Sequence, residues 1–377
     1  AVKHPAKEKV SLANAIGRVI ACDIKSDIDI PPFDKSAMDG YAVRSADIKE
    51  GCVLKVKNII QAGVDLDQEV RPGECIKIMT GAPVPAGADA IMKIEDTQQC
   101  RDVIPDRSRG QVYYVPTKKN ALIKSGENIC FKGEDVKQNE IVIKKDTLIN
   151  PAGIAVLASV GKTEVEVYKM PSIAIISTGD ELAPAHEKLK KGCIRDSNAP
   201  MMMAMAKQCG CRAVHLGIAK DTKEDLDRLI KQGLKYDILI LSGAVSMGDY
   251  DLVPDVLKQN NVDILFHNVC VQPGKPLLFG KKNNTIVFGV PGNPVSNWTT
   301  FYMFIKPAIK GRLDPLKIVT AKITEDLRKK TDRAKIVPAI LNIDGVTPLQ
   351  LNGSADIAGC VNANAFIVLD KDVEIVK

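Results

Sequence analysis

Residues 173–177, 211–216, 236–242 and 262–266 form short, mostly apolar runs separated by stretches of helix length. This pattern constrains the fold more than any other feature of the chain. An apolar run of strand length without polar alternation is buried on both faces, as in a parallel sheet. Parallel neighbours need a crossover, usually a helix. The intervening segments carry matching signals. Asp196, Ser197 and Asn198 supply cap residues for a Met/Ala-rich helix that stops at Gly210. Thr222 and Asp225 stand at capping-box spacing and open a helix to Gly233. A third helix is predicted near residues 252–259. Residues 169–312 are thus predicted to be an α/β domain on a doubly wound, mostly parallel sheet. It ends with a hairpin turning between Lys281 and Asn284 and a last helix over residues 294–310.

The remainder of the 377-residue chain is strand-rich, and its length allows roughly two to four domains. Pro31 and Pro32 in series remove two backbone donors and mark a hinge after residues 1–32. Residues 33–125 read as a β module with strands at 52–59, 74–79 and 111–116. Residues 126–168 add a strand at 140–144 and an apolar helix at 151–159, with Pro151 in its first turn and Gly161 past its end. Residues 313–377 read as a small β domain with strands at 318–323, 336–343, 366–369 and 373–376.

Composition narrows the function. The formal charge of +6 includes no Lys/Arg block long enough for a nucleic-acid arm. Ten cysteines are scattered without a C-x-x-C pair, which predicts reduced thiols. His4, His186, His215 and His267 share no motif, so the chemistry is not expected to rest on histidine. No run reaches the ~18–20 apolar residues of a membrane span, and no signal peptide is evident. The expectation is a cytoplasmic protein with neither nucleic-acid nor membrane partners.

Ligands of a doubly wound sheet bind at the carboxyl ends of its strands. The first such loop here holds Ser177, Thr178, Gly179, Asp180 and Glu181; the second holds Lys220, Asp221 and Thr222. The third runs from Ser242 and Gly243 through Ser246, Met247 and Gly248 to Asp251. Carboxylates gathered without His or Cys favour a hard cation such as Mg²⁺, held partly by a phosphate. The plainer reading is that these acids only cap helices and close turns, as Asp221 or Thr222 could. Pro273, Gly274, Lys275 and Pro276 fix a lysine between rigid residues, either as a turn or as an anion contact. Pro291, Gly292, Asn293, Pro294, Val295 and Ser296 read as a rigid helix start, with Asn293 as cap and free N–H groups facing an anion. On composition alone, residues 35–42 and 80–89 are loops.

Seven stretches in order resemble the MoeA family, which includes the C-terminal domain of gephyrin: PPFDKSAMDGYAV (31–43), TGAPVPAGADA (80–90), STGDEL (177–182), DSN (196–198), SGAVSMGDYD (242–251), PGKP (273–276) and PGNPVS (291–296). The likeness covers essentially the whole chain. It implies an elongated homodimer of four-domain protomers. Residues 1–32 with 126–168 would form a discontinuous hinge and dimerisation domain, 33–125 a β-rich domain, 169–312 the pterin-nucleotide domain and 313–377 the small β domain. The implied reaction inserts molybdate, a substrate, into adenylylated molybdopterin and releases AMP, with Mg²⁺ as cofactor. Carried over by motif, Asp39, Glu181, Asp221 and Asp251 are the functional acids. Glu181 and Asp251 are the expected metal ligands, and Asp39 is expected from the other protomer. Lys275, Ser296, Arg333 and Ser354 match molybdate contacts. The other expected substrate contacts are Thr80, Asp135, Ser177, Thr178, Gly179, Asp180, Asn198, Ser242, Gly243, Ser246, Met247, Gly248, Pro273, Gly274, Pro276, Pro291, Gly292, Asn293 and Pro294. Ala244, Gln272 and Pro338 depart from the family's usual residues.

Two alternatives stand beside this reading. One is a scaffold that keeps the fold but has weak catalysis. The other is a related pterin adenylyltransferase, usually a single domain of roughly 150–200 residues; the flanking β modules argue against it. Retention of Asp39, Glu181 and Asp251 favours a working site.

Overall fold

The computed structural model describes residues 6–63, 68–97, 113–118, 122–243, 252–310, 318–328, 331–373 and 375–376. In chain order the longer elements are β1 (Lys7–Ser11), β2 (Gly40–Val43), β3 (Val53–Ile60), β4 (Glu74–Ile78), β5 (Ala90–Lys93), β6 (Tyr113–Pro116), α1 (Pro151–Ser159), β7 (Glu164–Tyr168), β8 (Ser172–Thr178), α2 (Asn198–Gln208), β9 (Arg212–Ala219), α3 (Lys223–Gly233), β10 (Ile238–Ser242), α4 (Val253–Gln259), β11 (Asp263–His267), β12 (Leu278–Lys282), β13 (Thr285–Val290), α5 (Pro294–Thr300), α6 (Lys306–Lys310), β14 (Ala334–Asn342), β15 (Gly345–Pro348) and β16 (Ala365–Leu369).

The first core draws on both sides of the 33–125 segment. β1 pairs antiparallel with β7, and Ile24–Lys25 pairs with Ile141–Ile143. Ile20, Ile24, Ile143, Leu157 and Val167 pack together between them. α1 starts where Asn150 Oδ1 accepts from the Gly153 N–H at 2.8 Å, with Pro151 in the first turn.

The intervening segment builds a five-stranded sheet in the order β5-β2-β4-β3-β6. Here the structure corrects the reading of residues 35–42 as loop, because β2 lies inside the sheet, antiparallel to β4 and β5. Gly40 makes this possible: a Cβ there would fall 2.1 Å from the Met92 carbonyl oxygen.

The six-stranded sheet has the order β9-β8-β10-β13-β12-β11. β9, β8, β10 and β13 run parallel, and β12 and β11 add antiparallel pairings. Both faces are covered, as the unbroken apolar runs require. Ile173, Ile175, Ile240 and Phe288 meet Met202, Ala206 and Phe301 on one side. Ala174, Ile176 and Leu241 meet Leu226, Ile230 and Val256 on the other. α3 places Leu226, Leu229, Ile230 and Gly233 inward at helical spacing. The predicted last helix is interrupted: Phe301–Ile305 is π-helical between α5 and α6, the kind of irregularity that periodicity does not reveal.

In the final region β14 pairs with β15 and β16, and with the two-residue strand Val271–Gln272 of the preceding domain. The Trp298 ring packs 4.8 Å from Phe366, joining α5 to β16. The strand predicted at 318–323 is absent. Only Ile323 makes a bridge, to Val346, while Ile318 is 91% and Val319 65% exposed. Apolar β-branched residues suggest a strand, but among the described residues no partner edge lies beside them. Among the described residues, no helix is long and apolar enough to cross a membrane.

Candidate active site

The parallel topology brings the tips of β8 and β9 together. The Asp180 N–H donates to Asp221 Oδ2 at 3.4 Å, and the Asp221 N–H donates to Asp180 Oδ1 at 3.3 Å. Each carboxylate is thus held against the other loop while its free oxygen stays exposed. Glu181 folds back over Gly179, where an added Cβ would lie 2.5 Å from Glu181 Oε2. Asp180 and Asp221 therefore meet across two adjacent strand tips, with Glu181 next to them in the chain. The capping role weighed for this loop falls to Thr222, which accepts from the Asp225 N–H, and Asp221 is left facing outward.

The hydroxyls of this edge face inward. Ser177 Oγ donates to buried Asp196 at 2.5 Å, and Thr178 Oγ1 donates to the Ser242 carbonyl at 3.2 Å. Ser242 Oγ accepts from Asn198 Nδ2 at 3.0 Å and from Asn297 Nδ2 at 2.8 Å. Asn198 Nδ2 also donates to the Gly292 carbonyl at 2.6 Å. One polar network therefore fixes β8, β10, α2 and the start of α5 relative to each other. Asp196 accepts from the N–H groups of Asn198 and Ala199, so the capping carboxylate comes from the residue before the N-cap position, Ser197, whose own side chain does not cap. Gly243 takes a φ of +97°, and a Cβ would meet the Thr178 carbonyl at 2.6 Å.

A second surface forms at the start of α5. Pro294 occupies its first turn, but Asn293 does not cap. Its side chain instead donates to Ser354 Oγ at 2.8 Å, and the Val295 N–H donates to the Ser354 carbonyl at 2.9 Å. This corrects the expectation of a free helix N-terminus, since the final domain occupies one of its donors. Gly274 approaches the same helix so closely that a Cβ would lie 2.9 Å from Thr300 Oγ1. The Lys275 carbonyl accepts from Val269 and Leu277, fixing the Pro273–Pro276 turn and leaving an exposed ammonium. Arg333 precedes Ala334, whose N–H donates to the Cys270 carbonyl at 3.0 Å, and so lies beside the same turn. Lys275, Ser296, Arg333 and Ser354 thus come from four chain segments on this side of the sheet, with the Arg333 Nε donating to Thr331 Oγ1 at 3.4 Å. Asn297 Oδ1 and Thr300 Oγ1 are buried there without a hydrogen-bond partner. Such orphans are rare in native proteins and suit a ligand or water.

Asp39 and Thr80 form a separate patch. Asp39 Oδ1 accepts from the Thr80 N–H at 2.7 Å and from its hydroxyl at 2.8 Å. These two donors, the backbone one first, hold the Asp39 carboxyl below the usual carboxylate range. Among the described residues no hydrogen bond or ion pair joins this patch to the strand tips. Asp135 is also apart, exposed beside the hinge, with its N–H donating to the Ile30 carbonyl at 3.0 Å. Ser246, Met247, Gly248 and Asp251 lie outside the described residues.

Comparison with known proteins decides the family. The profile of the MoeA N-terminal region (domain I and II) matches residues 1–161, the probable molybdopterin binding domain matches 174–311, and the MoeA C-terminal region (domain IV) matches 320–377. The chain belongs to the MoeA family. A Staphylococcus aureus protein named molybdopterin molybdenumtransferase is 36% identical, over 96% of this chain and 86% of the relative. A Bacillus subtilis protein of the same name is 33% identical, over 97% and 86%. A Pyrococcus horikoshii molybdopterin biosynthesis MoeA crystal structure superposes with a TM-score of 0.81 at 28% identity, covering 99% of this chain and 92% of that one.

Asn297, Thr300 and Asp196 do not stand out in the sequence as site residues. Asn297 and Thr300 look like ordinary members of an amphipathic helix, and only the unpartnered oxygens Asn297 Oδ1 and Thr300 Oγ1 mark them. Asp196 lies within the DSN motif, but its motif role and its cap role cannot be separated without coordinates.

Proposed function

We propose that this chain is a molybdopterin molybdenumtransferase that takes adenylylated molybdopterin and molybdate and releases AMP and molybdenum cofactor. The observation supporting this most directly is the union of two unlike surfaces on one sheet edge. Acids cluster at the tips of β8 and β9, and an anion cradle of Lys275, Ser296, Arg333 and Ser354 adjoins the tips of β10 and β13.

The acids offer only hard oxygens, the donor chemistry that fits Mg²⁺. Among the described residues no three of them group closely enough to hold an ion alone. Glu181 and Asp221, with Asp251 beyond the described residues, would share it with substrate phosphate oxygens. Bound Mg²⁺ would offset the charge that builds on the phosphate as its P–O bond breaks. The chain's own residues position the reactants. Lys275 and Arg333 supply positive charge to molybdate, and the Ser296 and Ser354 hydroxyls supply donors. Holding molybdate beside the dithiolene sulfurs makes their meeting effectively intramolecular. The Ser242–Asn198–Asn297 network keeps the two surfaces in register.

The same proposal includes a homodimer acting in the cytoplasm. α1 is apolar around its whole circumference, yet Pro151, Ala152, Ala155 and Ala158 are exposed. A helix apolar on every side is a buried helix, and a second copy of α1 would bury it symmetrically. Asp39 would then reach the strand tips of the partner. Incubation with adenylylated molybdopterin, Mg²⁺ and molybdate tests the reaction: AMP release that requires molybdate is expected, and AMP release indifferent to molybdate would sink the proposal.

A further inference from the structure

A cavity of about 410 Å³ lies behind the α/β domain, at the far ends of the helices that start at the strand tips. The last turn of α2, with Lys207 and Gln208, forms one wall, and Tyr302 of the π-helical turn with Lys306 of α6 forms another. Ile16 and Leu148 of the first core close it from the opposite side, so the cavity sits at a junction of two cores, a common place for ligands. α2 begins at Asn198 in the polar network of the sheet edge, and its 11 residues carry the chain about 16 Å away from it. The cavity therefore shares no wall with the acids or the cradle.

Its polar groups are all donors. Lys207 and Lys306 both line it, no acid does, and no described carboxylate pairs with either ammonium. Lys306 has only the face of the Tyr302 ring, 5.7 Å away. Lys207 suits the C-terminal turn of α2 through the helix dipole, yet no described carbonyl accepts a hydrogen bond from it. Burial raises the Tyr302 phenol above its ordinary range, with Cys209 a lesser cause. The hydroxyl thus keeps its proton and donates to Gln208 Oε1 at 3.0 Å. That bond occupies the amide oxygen and leaves the Gln208 NH₂ as a donor without a described partner.

The remaining wall is aliphatic and bare. Ile16 is 52% and Leu148 38% exposed. Gly17 and Gly210 leave open backbone there, where an added Cβ would meet nothing within 4 Å. Two ammonium groups and an amide N–H suit the three terminal oxygens and double charge of a phosphate monoester. The exposed aliphatic pair suits an apolar body attached to it. We propose that this cavity is a separate binding site for a small phosphate monoester with an apolar body. The proposal does not depend on the reaction proposed above, because none of these residues serves it.

Calorimetric titration of the full-length protein with phenyl phosphate tests this, in wild type and in Lys275→Gln, which removes the lysine of the cradle. Binding should persist in Lys275→Gln. In that background Lys207→Gln and Lys306→Gln should each weaken it about tenfold, the worth of one charge-assisted hydrogen bond. Inorganic phosphate, lacking the ring, and phenylacetate, a monoanion, should each bind about tenfold more weakly than phenyl phosphate. Leu148→Ser should bring the preference over inorganic phosphate below about threefold. Binding that is lost in Lys275→Gln, that survives both rear lysine variants, or that is equal for phenyl phosphate and inorganic phosphate overturns the assignment. So does a Leu148→Ser variant that changes the oligomeric state but not the affinity, since the aliphatic pair would then belong to a subunit interface.

Discussion

The cradle around Ser296 and the patch around Asp39 are both built from polar residues of rigid Gly/Pro loops, yet they differ in completeness. The cradle is finished within one chain. Ser354 reaches α5 from the last domain, and Gly274 presses against Thr300. The Asp39–Thr80 pair is just as well formed, but it faces solvent and, among the described residues, makes no hydrogen bond or ion pair with a strand tip. A carboxylate fixed by two donors and left without a target is an unfinished site. Under the proposed function, the contrast separates what one protomer would supply from what a second would bring.

The sharpest way to break this comparison is to remove an acid from each side. Asp221→Asn should lower molybdate-dependent AMP release by about 10²–10³-fold with the melting temperature unchanged, since the residue is exposed and acts on developing charge. Near-normal turnover would remove the strand tips from the chemistry. Asp39→Asn should be similarly inactive. Mixing and reassociating the two inactive variants should recover about a quarter of wild-type activity, because half the dimers then carry one intact site. If nothing is recovered on mixing, Asp39 serves its own chain or no site at all.

Smaller effects sharpen the contrast. Ser354→Ala removes one cradle hydroxyl and should raise the KM for molybdate about tenfold while sparing AMP affinity. Parallel losses in both would show that the cradle is not a separate subsite. The smallest effect belongs to Thr80→Val, which deletes the hydroxyl donor but keeps the backbone one. The Asp39 pKa, read by NMR titration, should rise partway toward the ordinary carboxylate value. The sign follows from the depressed folded-state pKa. Stability from this pair is present above the unfolded-state pKa, near 3.9, and is lost as pH falls through the lower folded value. Thr80→Val should therefore flatten acid destabilisation slightly, and an Asp39 pKa unmoved by the substitution would show that the hydroxyl contributes nothing.

Much of the sheet domain is legible without coordinates, because its signals are local. Asp196, Thr222 and the apolar run at 173–177 mark elements that the structure contains, displaced by a residue or two at their ends. Failures occurred where a distant partner decides. Gly40–Val43 is a strand because of β4 and β5, and Ile318 is not in one because no described strand pairs with it. The site divides in the same way. The seven motifs contain Asp39, Glu181, Asp251 and Lys275 but not Asp221, and Asn293, which reads as the cap of its own helix, bonds Ser354 sixty-one positions away. The histidines share no motif, so nothing in the sequence marks His215, whose position depends on a bulge.

The path between the first core and the β-rich lobe consists of two chain passes side by side. Gly133 bonds Pro31, Lys132 bonds Asp34, Cys130 pairs with Lys35 and Asn128 bonds Ala37, so the passes form one narrow ribbon. Pulling on such a ribbon strains all its bonds together, whereas twisting it spreads small dihedral changes along its length. The lobe bearing Asp39 consequently has a soft axis of rotation and a stiff reach. Its carboxylate can sweep an arc at nearly constant distance from the core, as an arm that must find a target on another molecule would need.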